Sequence, residues 1–185
     1  MPNEKKKKKR TLKRREPLPH IEGDFDLISC DLSMSCPGFA HLRYKSKDRS
    51  VSIVKKTIVP NRSYASQKKP HGKILNEIGS ALSDFMSGTK IKVAVRERAF
   101  SRFNAETQTL TKVVGVSDMI VWHILESEFQ ELTAASVKKN ITGWGRAEKE
   151  EVAAAIDNYC DHTAFASDDE SDAVAVGIAW LIENG

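Results

Sequence analysis

The spacing of apolar and polar residues predicts three strands at the start of the chain's apolar region, before any helix. The expected strands cover residues 25–31, 38–44 and 50–59, and the third is rich in Val, Ile and Thr. A polar stretch with prolines over residues 60–72 then predicts a long exposed loop. The first part of the chain therefore predicts neighbouring strands of one sheet.

After this loop, the pattern alternates between helices and strands. Apolar residues recur at helical spacing from Ile74 to Met86, and Gly88 is placed to end that helix. The elements expected next are a strand over residues 91–100, a helix over 107–126, a strand over 129–135, and helices over 146–159 and 168–183. This order predicts an α/β fold in which helices cover a mixed sheet.

Composition narrows the classes of protein. The chain has 185 residues, of which 40% are hydrophobic and 29% are charged, as in a globular domain with a substantial core. Its apolar runs fall far short of the roughly 20 residues that a membrane-spanning helix needs, and its basic start is not followed by the apolar segment of a signal peptide. The three cysteines form no Cys-x-x-Cys pair, so neither a zinc module nor a disulfide framework is expected.

Positive charge is concentrated at the N-terminus. Residues 1–16 carry a net charge of +7 against +4 for the whole chain, which leaves −3 for residues 17–185. Such a run of lysines predicts a disordered basic arm over residues 1–20, followed by a folded domain over residues 21–185. The arm could bind the phosphate backbone of DNA, act as a nuclear localisation signal or serve as a solubilising tail. In the first case, the DNA contacts are assigned to Lys5, Lys6, Lys7, Lys8, Lys9 and Arg10.

Four acidic residues have positions that suggest chemistry. Asp31 closes the first predicted strand, and Glu97 shares strand parity with Val95, in line with an apolar face. Asp169 and Asp172 are three residues apart and therefore lie on one side of a helix. Carboxylates on adjacent elements suit Mg²⁺ or Mn²⁺, and two such ions about 4 Å apart can activate a water in phosphodiester cleavage. The pattern is compatible with a metal-dependent nuclease.

The same acids also have purely structural interpretations. Ser167-x-x-Glu170 is a capping-box pattern, and acids in a first turn offset the helix dipole, so residues 168–172 could simply stabilise a helix. Asp31 could be a turn former, and one acid in a strand is a weak signal. Spacing alone leaves both interpretations open.

Four segments in order resemble the RuvC family of Holliday-junction resolvases, within the RNase H-like superfamily, and especially its bacteriophage members. They are the strand and Pro-Gly of residues 28–38, the Glu-x-x-Phe of 97–100, the basic Gly-x-Gly-x-Ala-x-Lys stretch of 137–149 and the Asp-x-x-Asp-Ala of 169–173. Five residues separate Asp31 from Pro37, whereas bacterial members place Pro-Gly directly after the Asp. This departure favours a phage or viral relative.

The resemblance implies a mixed five-stranded sheet of the RNase H-like, RuvC type, flanked by helices, and a Mg²⁺-dependent endonuclease for which Mn²⁺ substitutes. The metal ligands that it implies are Asp31, Glu97, Asp169 and Asp172. It also implies that Lys138 and Lys149 serve the scissile phosphate or the nearby DNA backbone, as catalytic and DNA-binding residues, although both could be ordinary surface lysines. Phe100 matches an aromatic that the family uses against unstacked bases, although a residue at a strand end could equally belong to the core.

The resemblance further implies a homodimer formed through the helix over residues 107–126, which could otherwise simply pack on the sheet. The implied substrate is branched DNA, either a four-way junction or a three-way junction or flap, in the cytoplasm of a bacterial host if the chain is phage-encoded. The alternatives are another RNase H-like nuclease acting on flaps or hybrids, and a non-catalytic protein that binds branched DNA. The presence of all four acids favours an enzyme.

Overall fold

A computed structural model describes residues 17–61, 70–98, 104–161 and 164–185, with the side chains of 104–106 left out. Residues 1–16 of the predicted basic arm and Phe100 lie outside the described residues. The disorder predicted for residues 17–20 is wrong, because Leu18 is buried in the core and its N–H donates a hydrogen bond to the Arg49 oxygen at 2.9 Å. Within those ranges the elements are β1 (Phe25–Asp31), β2 (Gly38–Lys45), β3 (Ser50–Ile58), α1 (His71–Met86), β4 (Ile91–Glu97), α2 (Asn104–Leu125), β5 (Gln130–Leu132), α3 (Ala134–Thr142), α4 (Lys149–Ile156) and α5 (Asp168–Glu183).

The strands form one mixed five-stranded sheet in the order β3-β2-β1-β4-β5. The first three strands are antiparallel neighbours, as expected for strands joined by short connections. β4 lies parallel to β1, and β5 lies parallel to β4. The α/β architecture with a mixed five-stranded sheet is thereby confirmed, with β1 at the centre of the sheet.

Period-two alternation divides the side chains of β1 between two helical layers. Phe25 and Leu27 belong to a core shared with α3, α4 and α5, whereas Ile28 and Cys30 belong to a core shared with α1 and α2. Both faces of β1 are therefore covered, which explains why this strand is almost continuously apolar. None of the described helices is both long and apolar enough to span a membrane.

The expected strand over residues 129–135 is only partly correct. β5 ends at Leu132, and the Thr133 side chain caps a helix by accepting a hydrogen bond from the Ser136 backbone N–H at 3.1 Å. This helix, α3, buries Val137 and Ile141, a pair at i,i+4 spacing that the strand interpretation overlooked. The helix expected over residues 146–159 is also shorter, since α4 spans Lys149–Ile156.

Helix α5 lies very close to the sheet. A Cβ atom on Gly38 would stand 2.1 Å from the backbone oxygen of Asp169, and one on Gly177 would stand 2.7 Å from Ser29 Oγ. The Ser29 hydroxyl donates a 2.7 Å hydrogen bond to the backbone oxygen of Ala173. Small residues and this buried hydrogen bond therefore place the first turns of α5 directly over the end of β1.

Candidate active site

Two of the predicted acids end adjacent parallel strands. The register of β1 and β4 pairs Cys30 with Arg96, so that the next residue in each strand is Asp31 or Glu97. Strand parity turns Cys30 and Arg96 toward the α1–α2 layer and leaves the two carboxylates on the α5 side. Asp31 and Glu97 therefore end side by side on the face that α5 covers.

The acids at the start of α5 have two different roles: some stabilise the helix start, and others face the site. Ser167 Oγ accepts a hydrogen bond from the Glu170 backbone N–H at 3.4 Å, so the capping interpretation holds for Ser167. The buried Glu170 carboxylate instead accepts hydrogen bonds from Lys56 Nζ at 2.5 Å and from the Ala166 backbone N–H at 2.8 Å. These residues satisfy the helix start without Asp172, which lies one turn further along.

The site itself is a small cavity of about 160 Å³. Its lining brings together five of the six predicted catalytic residues with apolar side chains: Asp31, Glu97, Lys138, Lys149, Asp172, Ala134, Val137, Val152 and Ala175. Asp169, the sixth, is half-buried one turn before Asp172 and acts electrostatically on both Asp31 and Lys149. The structure thus gathers residues from five separate elements, β1, β4, α3, α4 and α5, at one edge of the sheet.

The site holds more negative charge than it neutralises. Asp31 is half-buried, and the loss of solvation together with the charges of Asp172 and Glu97 raises its pKa to about 7. Burial and the charge of Asp172 also raise the pKa of Glu97. Both shifts mean that the surroundings disfavour the ionised carboxylates.

Two lysines partly balance these acids. Lys149, the first residue of α4, donates a 2.5 Å hydrogen bond to Asp172 Oδ2, and this contact raises the pKa of Lys149. The charges of Lys149 and Lys138 counteract the rise in the pKa of Glu97. A capping box between Glu148 and Glu151 fixes the start of α4 and with it the backbone of Lys149.

The donor set fits a hard divalent cation. Among the described residues, no three His, Cys, Asp or Glu side chains already surround a common point at ligand distances. However, three carboxylates share one small cavity, and the raised pKa of Asp31 marks a negative charge that lacks compensation. A divalent cation relieves such repulsion, and carboxylate oxygens are the ligands that Mg²⁺ and Mn²⁺ prefer.

Residues that position the site were not all found from the sequence. Ser29 lies within an apolar strand, and a polar residue at such a core-facing position is itself a signal of a buried hydrogen bond. No local pattern marks Lys56, because its partner Glu170 is far away in the sequence. In the sequence Gly38 is only part of the Pro-Gly motif, whereas the structure shows that it admits the backbone of α5.

A larger cavity, of about 720 Å³, lies on the opposite side of the sheet against α2. It contains Arg96, which is already paired with Asp118 and Glu131, and the side chains of Met119 and Trp122, which are 64% and 57% exposed. Unlike the small cavity, it gathers none of the predicted catalytic residues. The chemistry indicated by the sequence therefore belongs to the smaller cavity.

The sheet topology and the gathered carboxylates define the protein as an RNase H-like nuclease by class. The model of the family described as crossover junction endodeoxyribonuclease RuvC matches residues 30–180. The chain belongs to this family, which consists of metal-dependent nucleases, so the predicted family, fold and enzyme class are confirmed.

Individual relatives agree with this assignment. RuvC of Ehrlichia ruminantium (strain Gardel) is 31% identical over 157 residues, covering 84% of this chain and 96% of the relative. RuvC of Brachyspira hyodysenteriae is 28% identical over 153 residues, covering 80% and 91%. The structure of T. thermophilus RuvC in complex with Holliday junction substrate has a TM-score of 0.74 at 15% identity, covering 86% of this chain and 94% of that one. These relatives are bacterial, and a phage origin stays a prediction.

Proposed function

We propose that the protein is a Holliday junction resolvase that hydrolyses phosphodiester bonds of branched DNA at the small cavity. The observation that carries this proposal is the convergence of Asp31, Glu97 and Asp172 with two lysines in that cavity. Further support comes from the family, whose T. thermophilus member is described in complex with a Holliday junction substrate. The natural substrate proposed here is a four-way junction, with three-way junctions and flaps as further candidates.

The proposed cofactor is Mg²⁺, with Mn²⁺ as a substitute, held by Asp31, Glu97, Asp169 and Asp172. The chemistry that divalent cations supply when bound is activation of water and stabilisation of charge on the phosphate oxygens. Asp31 and Glu97 are half-buried, and the pairing of β1 with β4 fixes their backbones at adjacent strand ends. The close approach of α5 at Gly38 sets the distance of Asp169 and Asp172 from these two acids.

The two lysines have a separate proposed role toward the phosphate. The chain without its first 16 residues carries a net charge of −3, yet it must bring an acidic cavity up to a polyanion. Lys149 is 58% exposed, so its ammonium group can turn from Asp172 to a phosphate oxygen. Together with Lys138 it would offset the charge that develops on the phosphate in the transition state.

A homodimer is proposed to use α2, because two sites are needed to cut two strands of a junction. On this helix Met119 and Trp122 hold large apolar side chains in solvent, which is typical of a surface that a partner covers. The basic arm is proposed to add affinity for any DNA backbone through Lys5 to Arg10.

The proposal is tested with Asp31→Asn and Glu97→Gln in a cleavage assay on four-way, three-way, flap and hybrid substrates, with and without Mg²⁺. Each variant should lose cleavage by about a thousandfold or more, since metal-assisted stabilisation contributes several kcal/mol, while junction binding persists. Asp168→Asn is the control, because Asp168 is an exposed acid in the first turn of α5 that does not line the cavity. Normal cleavage by the first two variants would contradict the assigned site. If the wild-type protein binds junctions but does not cut them, the protein is a DNA-binding protein and the proposed nuclease activity is wrong.

A further inference from the structure

The loop between α3 and α4 holds a tryptophan in solvent beside the candidate active site. Trp144 is 58% exposed. Lys138 precedes it on α3 and Lys149 follows it at the start of α4, and both of these lysines line the small cavity. The large indole of Trp144 therefore contributes little to the core and lies in a loop between two elements of the site.

Hydrogen bonds hold the backbone of this loop in one conformation. Gly143 ends α3 with a φ of 81°, a left-handed conformation that favours glycine, and its N–H donates to the Lys139 oxygen at 2.7 Å. The Thr142 hydroxyl accepts from the Trp144 N–H at 3.1 Å and donates to the Lys138 oxygen at 2.8 Å. The Trp144 oxygen accepts from the Ala147 N–H at 3.2 Å. These hydrogen bonds give the backbone that carries the indole a defined conformation.

Trp144 also lies near Lys149, which lines the small cavity. The hydrogen bond between Trp144 and Ala147 is typical of a turn, whose ends lie within about 7 Å, and two further residues reach Lys149 with at most about 7 Å more. The two Cα atoms are therefore within about 14 Å, which corresponds to about four nucleotides at 3.4 Å each. Lys139 and Arg146 are exposed on either side of the tryptophan and add positive charge.

We propose that Trp144 is a binding site for one unstacked nucleobase at the branch point of the DNA substrate. An exposed indole stacks on any base, and the neighbouring cations hold the backbone that carries this base. An intact duplex has no unstacked base to offer, whereas a branch point does. Trp144 therefore favours branched DNA over linear DNA without reading sequence. This inference rests on the proposed function and adds a stacking residue distinct from Phe100.

The first test measures binding without divalent cation, so that no strand is cut. Trp144→Ala should bind a four-way junction about 5- to 150-fold more weakly, the effect of losing one base–aromatic stack, while affinity for linear duplex changes less than twofold. Trp144→Phe should restore part of the loss. Arg146→Gln is the matched control from the same loop, and it should weaken junction and duplex binding alike, as a backbone contact does.

The second test locates the base by combining abasic sites with the variant. One abasic position at the branch point should weaken binding of the wild-type protein as much as Trp144→Ala does, and the two changes together should cost no more than either alone. Junction binding should also quench tryptophan fluorescence in the wild type but not in Trp144→Phe.

Three results would overturn the proposal. They are equal losses of affinity for junction and duplex in Trp144→Ala, additive losses for the variant and every abasic position, and a fluorescence quench that persists in Trp144→Phe. DNA binding and cleavage by Trp144→Ala that match the wild type would overturn it too, and would leave the loop as a contact for another protein. Because wild-type cleavage is measured separately, these outcomes are distinguishable from failure of the proposed resolvase function, in which the wild-type protein itself does not cut junctions.

Discussion

Asp31→Asn should make the cation-free protein more stable at alkaline pH, although it removes a central residue of the candidate site. In the folded protein, burial and the charges of Asp172 and Glu97 raise the pKa of Asp31 from 3.8 to about 7. The unfolded chain lacks these surroundings, and there the carboxyl returns to its ordinary pKa. Folding therefore places an ionised carboxylate where its charge is disfavoured, and the amide removes that charge.

The size of the effect follows from proton linkage. Because the folded state binds the proton more tightly, the free energy of unfolding falls as pH rises from about 4 to about 7. The interval between 3.8 and about 7 corresponds to about 4 kcal/mol, with the full loss present above pH 7 and less than half of it at pH 5. We expect Asp31→Asn to recover at least half of this at pH 8, about 2 kcal/mol, which raises Tm by about 4–8 °C.

The assay is thermal unfolding in EDTA at pH 5 and pH 8, followed by circular dichroism. Asp26→Asn is the matched control, because Asp26 lies near the start of the same strand. There Arg43 and His41 hold the pKa of the Asp26 carboxyl below its usual value, so ionisation stabilises the fold above that pKa. Its replacement should therefore lower Tm at pH 8.

Addition of Mg²⁺ at pH 8 should stabilise the wild-type protein more than Asp31→Asn, because the cation compensates the charge that the variant lacks. The reasoning would be refuted by a Tm of Asp31→Asn at or below the wild-type value at pH 8 in EDTA. An advantage of equal size at pH 5 and pH 8 would also refute it, since the gain would then not come from ionisation.

Three further predictions concern catalysis, packing and DNA affinity. Lys138→Ala and Lys149→Ala should each slow single-turnover cleavage at saturating enzyme by tenfold or more, roughly 1.4 kcal/mol. Their DNA affinity should change by a smaller factor. Lys112→Ala is the control, because this lysine lies outside the site, and it should change neither the cleavage rate nor the affinity by much. Gly38→Ala should lower stability by about 1–3 kcal/mol through overpacking against α5, and should reduce cleavage more than binding. Deletion of residues 1–16 should weaken binding to any DNA and flatten its salt dependence by about 0.9 log unit per lost phosphate contact, as measured by a salt titration; an unchanged slope would exclude the arm from DNA contact.

The local pattern of the sequence was enough to predict most of the secondary structure. Runs of apolar and β-branched residues predicted the first three strands, period-two alternation predicted β4, and parity placed Glu97 on the same face as Val95. It failed around residues 129–142, where a three-residue strand is followed at once by α3. A strand this short has too few alternating positions to be recognised, and the apolar Ala134 and Ala135 that follow the Thr133 cap extend the apparent strand pattern.

The sequence by itself determined which residues could carry chemistry, because residue type, strand parity and helical spacing are local properties. Only the tertiary structure decided how they meet. Gly38 and Ser29 bring α5 down onto β1, and Lys149 pairs with Asp172 across 23 residues of chain. The rise in the pKa of Asp31 depends on burial and on charges from other elements. Solvation and Coulomb forces act through space, so these properties arise only when distant segments pack together.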